Sequence, residues 1–187
     1  MKVTETKLPG ILRFEPEVFT DERGSFWETW SKKRYSDAGQ VGEFVQDNVS
    51  MSSQGVVRGL HFQHPYGQGK LVQVLLGEVY DVVVDVRVGS PTFGQWAGEV
   101  LSAENHCQLF IPPGFAHGFL VTSERALFAY KCTEVYHPEA ELGVAWDDPD
   151  VGITWPIAEP TVSERDGALP KLSGIDGEWL PKYDESV

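Results

Sequence analysis

Leu71-Val72-Gln73-Val74-Leu75-Leu76-Gly77-Glu78-Val79-Tyr80-Asp81-Val82-Val83-Val84-Asp85-Val86-Arg87 is the longest strand pair legible in the sequence. It is dense in β-branched residues and broken once, at Gly77-Glu78, which reads as a tight hairpin between Leu71 to Leu76 and Val79 to Val86. The texture continues on both sides. Phe44 to Met51, Val56 to Gln63, Gly94 to Leu101, Cys107 to Ile111, Ala116 to Val121 and Ala126 to Val135 are further strand candidates, with Ser102-Ala103-Glu104-Asn105 as a second hairpin. Strands recurring every ~8–12 residues, with turn signals between them, indicate an all-β sandwich or barrel.

The ends of the chain differ from this middle. Val3 to Phe14 suggests an edge strand interrupted at Pro9-Gly10, Glu15 to Gly24 a loop, and Ser25 to Trp30 another strand. Ser31 to Gly39 reads as a short helix with Ser31 as N-cap. After Tyr136 the chain is irregular and rich in proline, but Trp146, Ile153 and Trp155 should pin it to the sheets. Tyr183 to Val187 is expected to be loose.

Composition narrows the function. With 187 residues, 41% of them hydrophobic, there is enough apolar material for one substantial core, so residues 1–187 are expected to form a single domain. A formal charge of -13 argues against a nucleic-acid or membrane-surface binder. An anionic ligand would need a local cationic pocket built from the 15 Lys and Arg available. Cys107 and Cys132 fit neither a disulfide framework nor a thiolate metal site, and no stretch approaches the roughly 20 apolar residues of a membrane span. A cytoplasmic protein is expected.

Such a pocket is suggested by Arg58-Gly59-Leu60-His61-Phe62-Gln63-His64 and Gln68-Gly69-Lys70, which place a guanidinium, an imidazole and an ammonium at a strand entrance. Singly each has a plain reading: His61 as a hydrogen-bonded structural histidine, Lys70 as a solvated turn residue, Arg58 and Arg23 as surface charges, Tyr130 as core beside Phe128. His106 and His137, beside polar turn residues, look exposed and uninvolved. His61 and His64 cannot both face inward on a regular strand, and Gln63 stands where a second metal ligand would be, so no metal is expected. An inward His61 brings Gln63 with it. Arg58 lies in the opposite register unless the backbone bends at Gly59.

Pro112-Pro113-Gly114-Phe115-Ala116-His117 has the form P-x-G-x-x-H and resembles the second motif of the cupin superfamily, whose fold is a double-sheet jelly roll. Together with Arg58 to Gln63, Gln68 to Val72, Gly77-Glu78-Val79, Ser90 to Trp96, Leu101 to Asn105 and Ile111 to Phe119, it makes the chain similar to the dTDP-4-dehydrorhamnose 3,5-epimerase family from about Val18 to Asp166. The resemblance implies a catalytic set of His61 as base, Asp166 as its dyad partner, Tyr130 as acid, Lys70 and His117. It further implies substrate contacts from Phe19, Arg23, Glu28, Gln46, Asp47, Asn48, Arg58, Tyr136, Glu141 and Arg165. A nucleotide-sugar partner and a homodimer with an exchanged N-terminal strand, Val3 to Phe14, come with it, and no cofactor.

In a dTDP-4-dehydro-6-deoxyhexose the C4 ketone acidifies the hydrogens on C3 and C5, so that neither nicotinamide nor metal is needed. Inversion requires a base on one face and an acid on the other, with a cation beside the developing enolate. Three other readings stay open: a single-position epimerase on the same scaffold, a catalytically silent sugar-binding cupin, and a metal-dependent cupin oxygenase.

Overall fold

The structure, a computed structural model, describes residues 1–184, so part of the tail expected to be loose lies outside the described residues. The described residues form thirteen strands: β1 (Lys2–Glu5), β2 (Leu12–Glu15), β3 (Val18–Asp21), β4 (Gly24–Trp27), β5 (Gln46–Ser53), β6 (Val57–Gln63), β7 (Lys70–Leu76), β8 (Glu78–Asp85), β9 (Trp96–Ser102), β10 (Gln108–Ile111), β11 (Phe115–Val121), β12 (Arg125–Cys132) and β13 (Glu141–Gly143). Two antiparallel sheets, ordered β1-β2-β10-β7-β12-β5 and β13-β6-β11-β8-β9, face each other as a double-sheet jelly roll.

The long apolar stretch is explained by double burial. On β8, Val79 and Val83 point between the sheets, where they meet Val72, Leu109, Phe119 and Phe128. Val82 and Val84 point the other way and are covered by Val144, Val151, Leu172 and Leu180 of the C-terminal segment. A strand covered on both faces loses polar alternation, hence the unbroken valines. Trp155 helps hold that cover, its indole N–H donating to the Trp146 carbonyl at 2.8 Å. Helix α1 (Lys32–Asp37) covers the other sheet's outer face by packing Tyr35 on Phe14 and Phe110.

Several expectations need correction. Gly77-Glu78 is not a hairpin, because β7 pairs with β10 and β12 while β8 pairs with β11 and β9. The turn carries the chain from one sheet to the other. Gly77 has φ +77°, and a Cβ there would fall 1.9 Å from the Arg125 carbonyl, so the crossing admits only glycine. Ser102–Asn105 likewise links β9 and β10 across the two sheets. Val18–Asp21, expected as loop, pairs with β4 in a separate two-stranded hairpin. Ser31 precedes α1 without a side-chain cap. Val3 to Phe14 supplies β1 and β2, which pair within their own chain's sheet and leave β1 at its edge. Tyr183 is held, its N–H donating to the Val88 carbonyl at 3.0 Å.

Candidate active site

Between the two sheets opens a cavity of about 450 Å³. The five-stranded sheet contributes Arg58 and His61 from β6 and His117 from β11; the six-stranded sheet contributes Lys70 from β7, Tyr130 from β12, and Gln46 and Asn48 from β5. Tyr136, Glu141, Arg165 and Asp166 complete the wall.

Arg58 and His61 share the cavity because β6 bends between them. His117 pairs with His61 and Phe119 with Arg58, so three steps on β6 oppose two on β11, the signature of a bulge. Gly59, at φ +109°, permits it, and a Cβ there would lie 2.6 Å from Gly118 Cα. Gln63, expected to come in beside His61, is drawn to neighbouring loops instead. Gln63 is buried but does not line the cavity; its amide donates to the Tyr66 carbonyl (2.8 Å) and accepts from the His137 N–H (2.9 Å), clamping two loops.

Asp166 reaches the site from an unexpected short helix, α2 (Glu164–Gly167), whose N-cap Ser163 accepts the Asp166 N–H at 3.0 Å. The segment before it lies parallel to the start of β6, with the Val57 N–H donating to the Thr161 carbonyl. One Asp166 oxygen accepts from His61 Nε2 at 2.8 Å and the other from the Gly59 N–H at 3.1 Å. Burial pushes the Asp166 carboxyl up, but these hydrogen bonds and the Arg165 charge outweigh it and hold the group below its ordinary value. An ionised carboxylate can only accept, so His61 Nε2 carries hydrogen and Nδ1 is the free nitrogen. Nδ1 lies 3.9 Å from Glu141, on β13, which itself accepts from Tyr136 (2.7 Å) and Arg165.

Across the cavity, burial is the main cause raising the Tyr130 hydroxyl above its usual value, with Cys132, Glu141 and Tyr136 adding to it and Arg58 opposing; the phenol keeps its proton at neutral pH. Burial lowers the Lys70 ammonium, against the raising influence of Cys132, Glu141 and Asp81.

Four residues implied by the resemblance do not line this cavity. Asp47 points outward from β5, between the inward Gln46 and Asn48, and pairs with Lys131 at 2.9 Å. Phe19 and Arg23 sit on the β3–β4 hairpin, where Arg23 is bound to Asp21, and Glu28 pairs with Arg34 at 3.3 Å. Neither His106 nor His137 is fully exposed: His106 lies tilted against Trp27 and His137 stacks on Tyr66. Sequence reasoning missed Asp81, which is fully buried with an oxygen 2.8 Å from His117 Nε2. Its only signal was a carboxylate on the same strand face as Val79 and Val83.

The family described as dTDP-4-dehydrorhamnose 3,5-epimerase matches residues 5–174. The dTDP-4-dehydrorhamnose 3,5-epimerase of Methanothermobacter thermautotrophicus is 53% identical over 165 residues, 87% of this chain and 89% of its own. The crystal structure of dTDP-6-deoxy-D-glucose-3,5-epimerase from Legionella pneumophila, in complex with dTDP-4-keto-L-rhamnose, superposes with a TM-score of 0.96 at 50% identity, covering 98% of both chains. A 3'-monoepimerase from Streptomyces bikiniensis in complex with dTDP-quinovose is more distant, with a TM-score of 0.88 at 36% identity over 95% of this chain and 91% of that one.

Proposed function

Because the chain belongs to the dTDP-4-dehydrorhamnose 3,5-epimerase family, we propose that it inverts C3 and C5 of dTDP-4-dehydro-6-deoxy-D-glucose to give dTDP-4-dehydro-L-rhamnose. The observation that carries the reading is the two-sided cavity, with His61, paired to Asp166, on one sheet and the protonated Tyr130 on the other. His61 Nδ1 removes the hydrogen beside the ketone while Asp166 holds the ring and stabilises the imidazolium. Negative charge moves to the C4 oxygen, where Lys70 and His117 receive it. Tyr130 then delivers a proton from the opposite face. Arg58, hydrogen-bonded to Ser52 at 2.9 Å, holds the diphosphate, with Gln46, Asn48, Tyr136, Glu141 and Arg165 contacting the remainder.

Turnover in deuterium oxide, followed by NMR of the product, should show label at both C3 and C5; label at one carbon would make the protein a single-position epimerase. The 53% and 50% identities to the two 3,5-epimerases above, against 36% to the monoepimerase, favour two. With Tyr130→Phe, solvent exchange should continue while inverted product falls by about 10²–10⁴-fold. Inversion at the wild-type rate would remove Tyr130 from the mechanism.

The working unit is a homodimer. The exposed Phe19 and Phe26, on a hairpin belonging to neither main sheet, and the exposed Val49 and Met51 on edge strand β5, are apolar surface that a second copy would cover. Phe19, Arg23, Glu28 and Asp47 would then meet substrate through that assembly. Light scattering that found a monomer at micromolar concentration would contradict this. The two free, buried cysteines suit a reducing cytoplasm, and no helix among the described residues is long and apolar enough to cross a membrane.

A further inference from the structure

The inner face of β8 holds two acids in a row of valines. Asp85 is accounted for: Arg87, Ser90 and Thr92 all donate to it, which ties down the turn leading to β9. Asp81 has no such duty. It is fully buried, lies opposite Phe119 and so diagonal to His117, and takes the His117 ring at 2.8 Å through one oxygen. Its other oxygen is buried without a hydrogen-bond partner among the described residues. An acid half unmet in an apolar row is costly to keep where valine would fit, and such a cost is commonly retained at a working site.

What Asp81 does follows from the ring it holds. His117 is itself buried, lies nearly parallel to Phe128 at 6.0 Å, and lines the same cavity as Lys70 and His61. With Nε2 occupied by Asp81, only Nδ1 is left to face a bound sugar. We propose that Asp81 is a positioning residue for the epimerisation: it accepts the Nε2–H of His117, fixing the ring's angle and stabilising its imidazolium form, so that Nδ1–H donates to the ketone oxygen of the sugar next to Lys70. The site then holds two His–Asp pairs with different tasks, both histidines on the five-stranded sheet. Asp166 serves the proton-removing His61, and Asp81 serves the His117 that faces the charge this removal creates. Burial lifts the Asp81 carboxyl above its ordinary value while His117 and Lys70 pull it down.

This inference rests on the epimerase reading, and the experiment separates the two. Asp81→Asn should lower kcat about 10²-fold with KM for the sugar nucleotide within about twofold of wild type. Asp81→Asn combined with His117→Gln should lose no more than His117→Gln alone, as for residues acting as a unit. Nitrogen-15 NMR of the unmutated protein should show both nitrogens of His117 protonated, a test that needs no variant to fold. Wild-type kcat in Asp81→Asn, multiplicative losses in the double variant, or an unprotonated nitrogen on His117 would each overturn the proposal. Absence of any deuterium exchange by the wild type would instead sink the epimerase reading, and the Asp81–His117 pairing would still stand or fall on the NMR result.

Discussion

His61→Ala should slow solvent-deuterium exchange at both C3 and C5 by about 10²–10⁴-fold, equivalent to about 3–5 kcal/mol of transition-state stabilisation, while affinity for dTDP stays within about a factor of two. The reasoning is geometric. Nδ1 of His61 is the free nitrogen of a ring whose other nitrogen is committed to Asp166. On the same wall, Glu141 is drawn toward Arg165 and Tyr136, and burial, which pushes its carboxyl up, is outweighed by those partners, so it is held below its ordinary value and makes a poor base. The fold should tolerate the change, because Asp166 keeps the Gly59 N–H and its own helix cap. Exchange at the wild-type rate in His61→Ala would show that another group removes the proton.

Lys70→Met should separate activity from stability. Catalysis should fall about 10²–10³-fold, the usual loss when a donor to a developing oxyanion is removed. Stability should rise by about 1–2 kcal/mol, because the ammonium ends in the cavity, burial lowers its pKa, and methionine fills similar space without a charge to desolvate. The sign with pH is fixed by the direction of that shift. Below the depressed native value Lys70 is charged in both folded and unfolded chains, and its burial cost is felt in full. As pH rises from the native value toward about 10.4, the unfolded chain holds more protons than the folded one, so wild-type stability gains on the variant. Urea melts at neutral and alkaline pH should therefore show the gap between the two proteins narrowing. A variant less stable than wild type at pH 7 would mean that Lys70 is better compensated than its surroundings indicate.

Much of the β architecture was legible because strand signals are local: β-branched runs ended by Gly, Pro and Asn mark β6 to β12 to within a few residues. Which strands pair is not local. Gly77-Glu78 has the composition of a two-residue hairpin, yet the same residues serve equally to cross between sheets, and only the partners of β7 and β8 distinguish the cases. β13 escaped notice because Glu141-Leu142-Gly143 is too short to show a period, though it brings Glu141 beside His61. The site itself was half visible. Arg58, His61 and Lys70 stand in one stretch, and Gly59 marked the bend that reconciles their registers. Asp81 was hidden by its own setting, since a lone acid within valines looks like an interruption of a strand until the facing histidine is in place.

The contact of Gly59 with Gly118 has a consequence for how such a site can change. A Cβ on Gly118 would fall 2.5 Å from the Arg58 carbonyl, just as one on Gly59 would strike Gly118 itself. The spacing between the strands that carry His61 and His117 is thus set by main chain meeting main chain, a rigid gauge with no side chain to trim or lengthen. Acceptance of a different sugar cannot be reached by small adjustments there. It must come from the side chains of the wall, Tyr136, Glu141 and Arg165 among them, which can be exchanged without moving that main-chain frame.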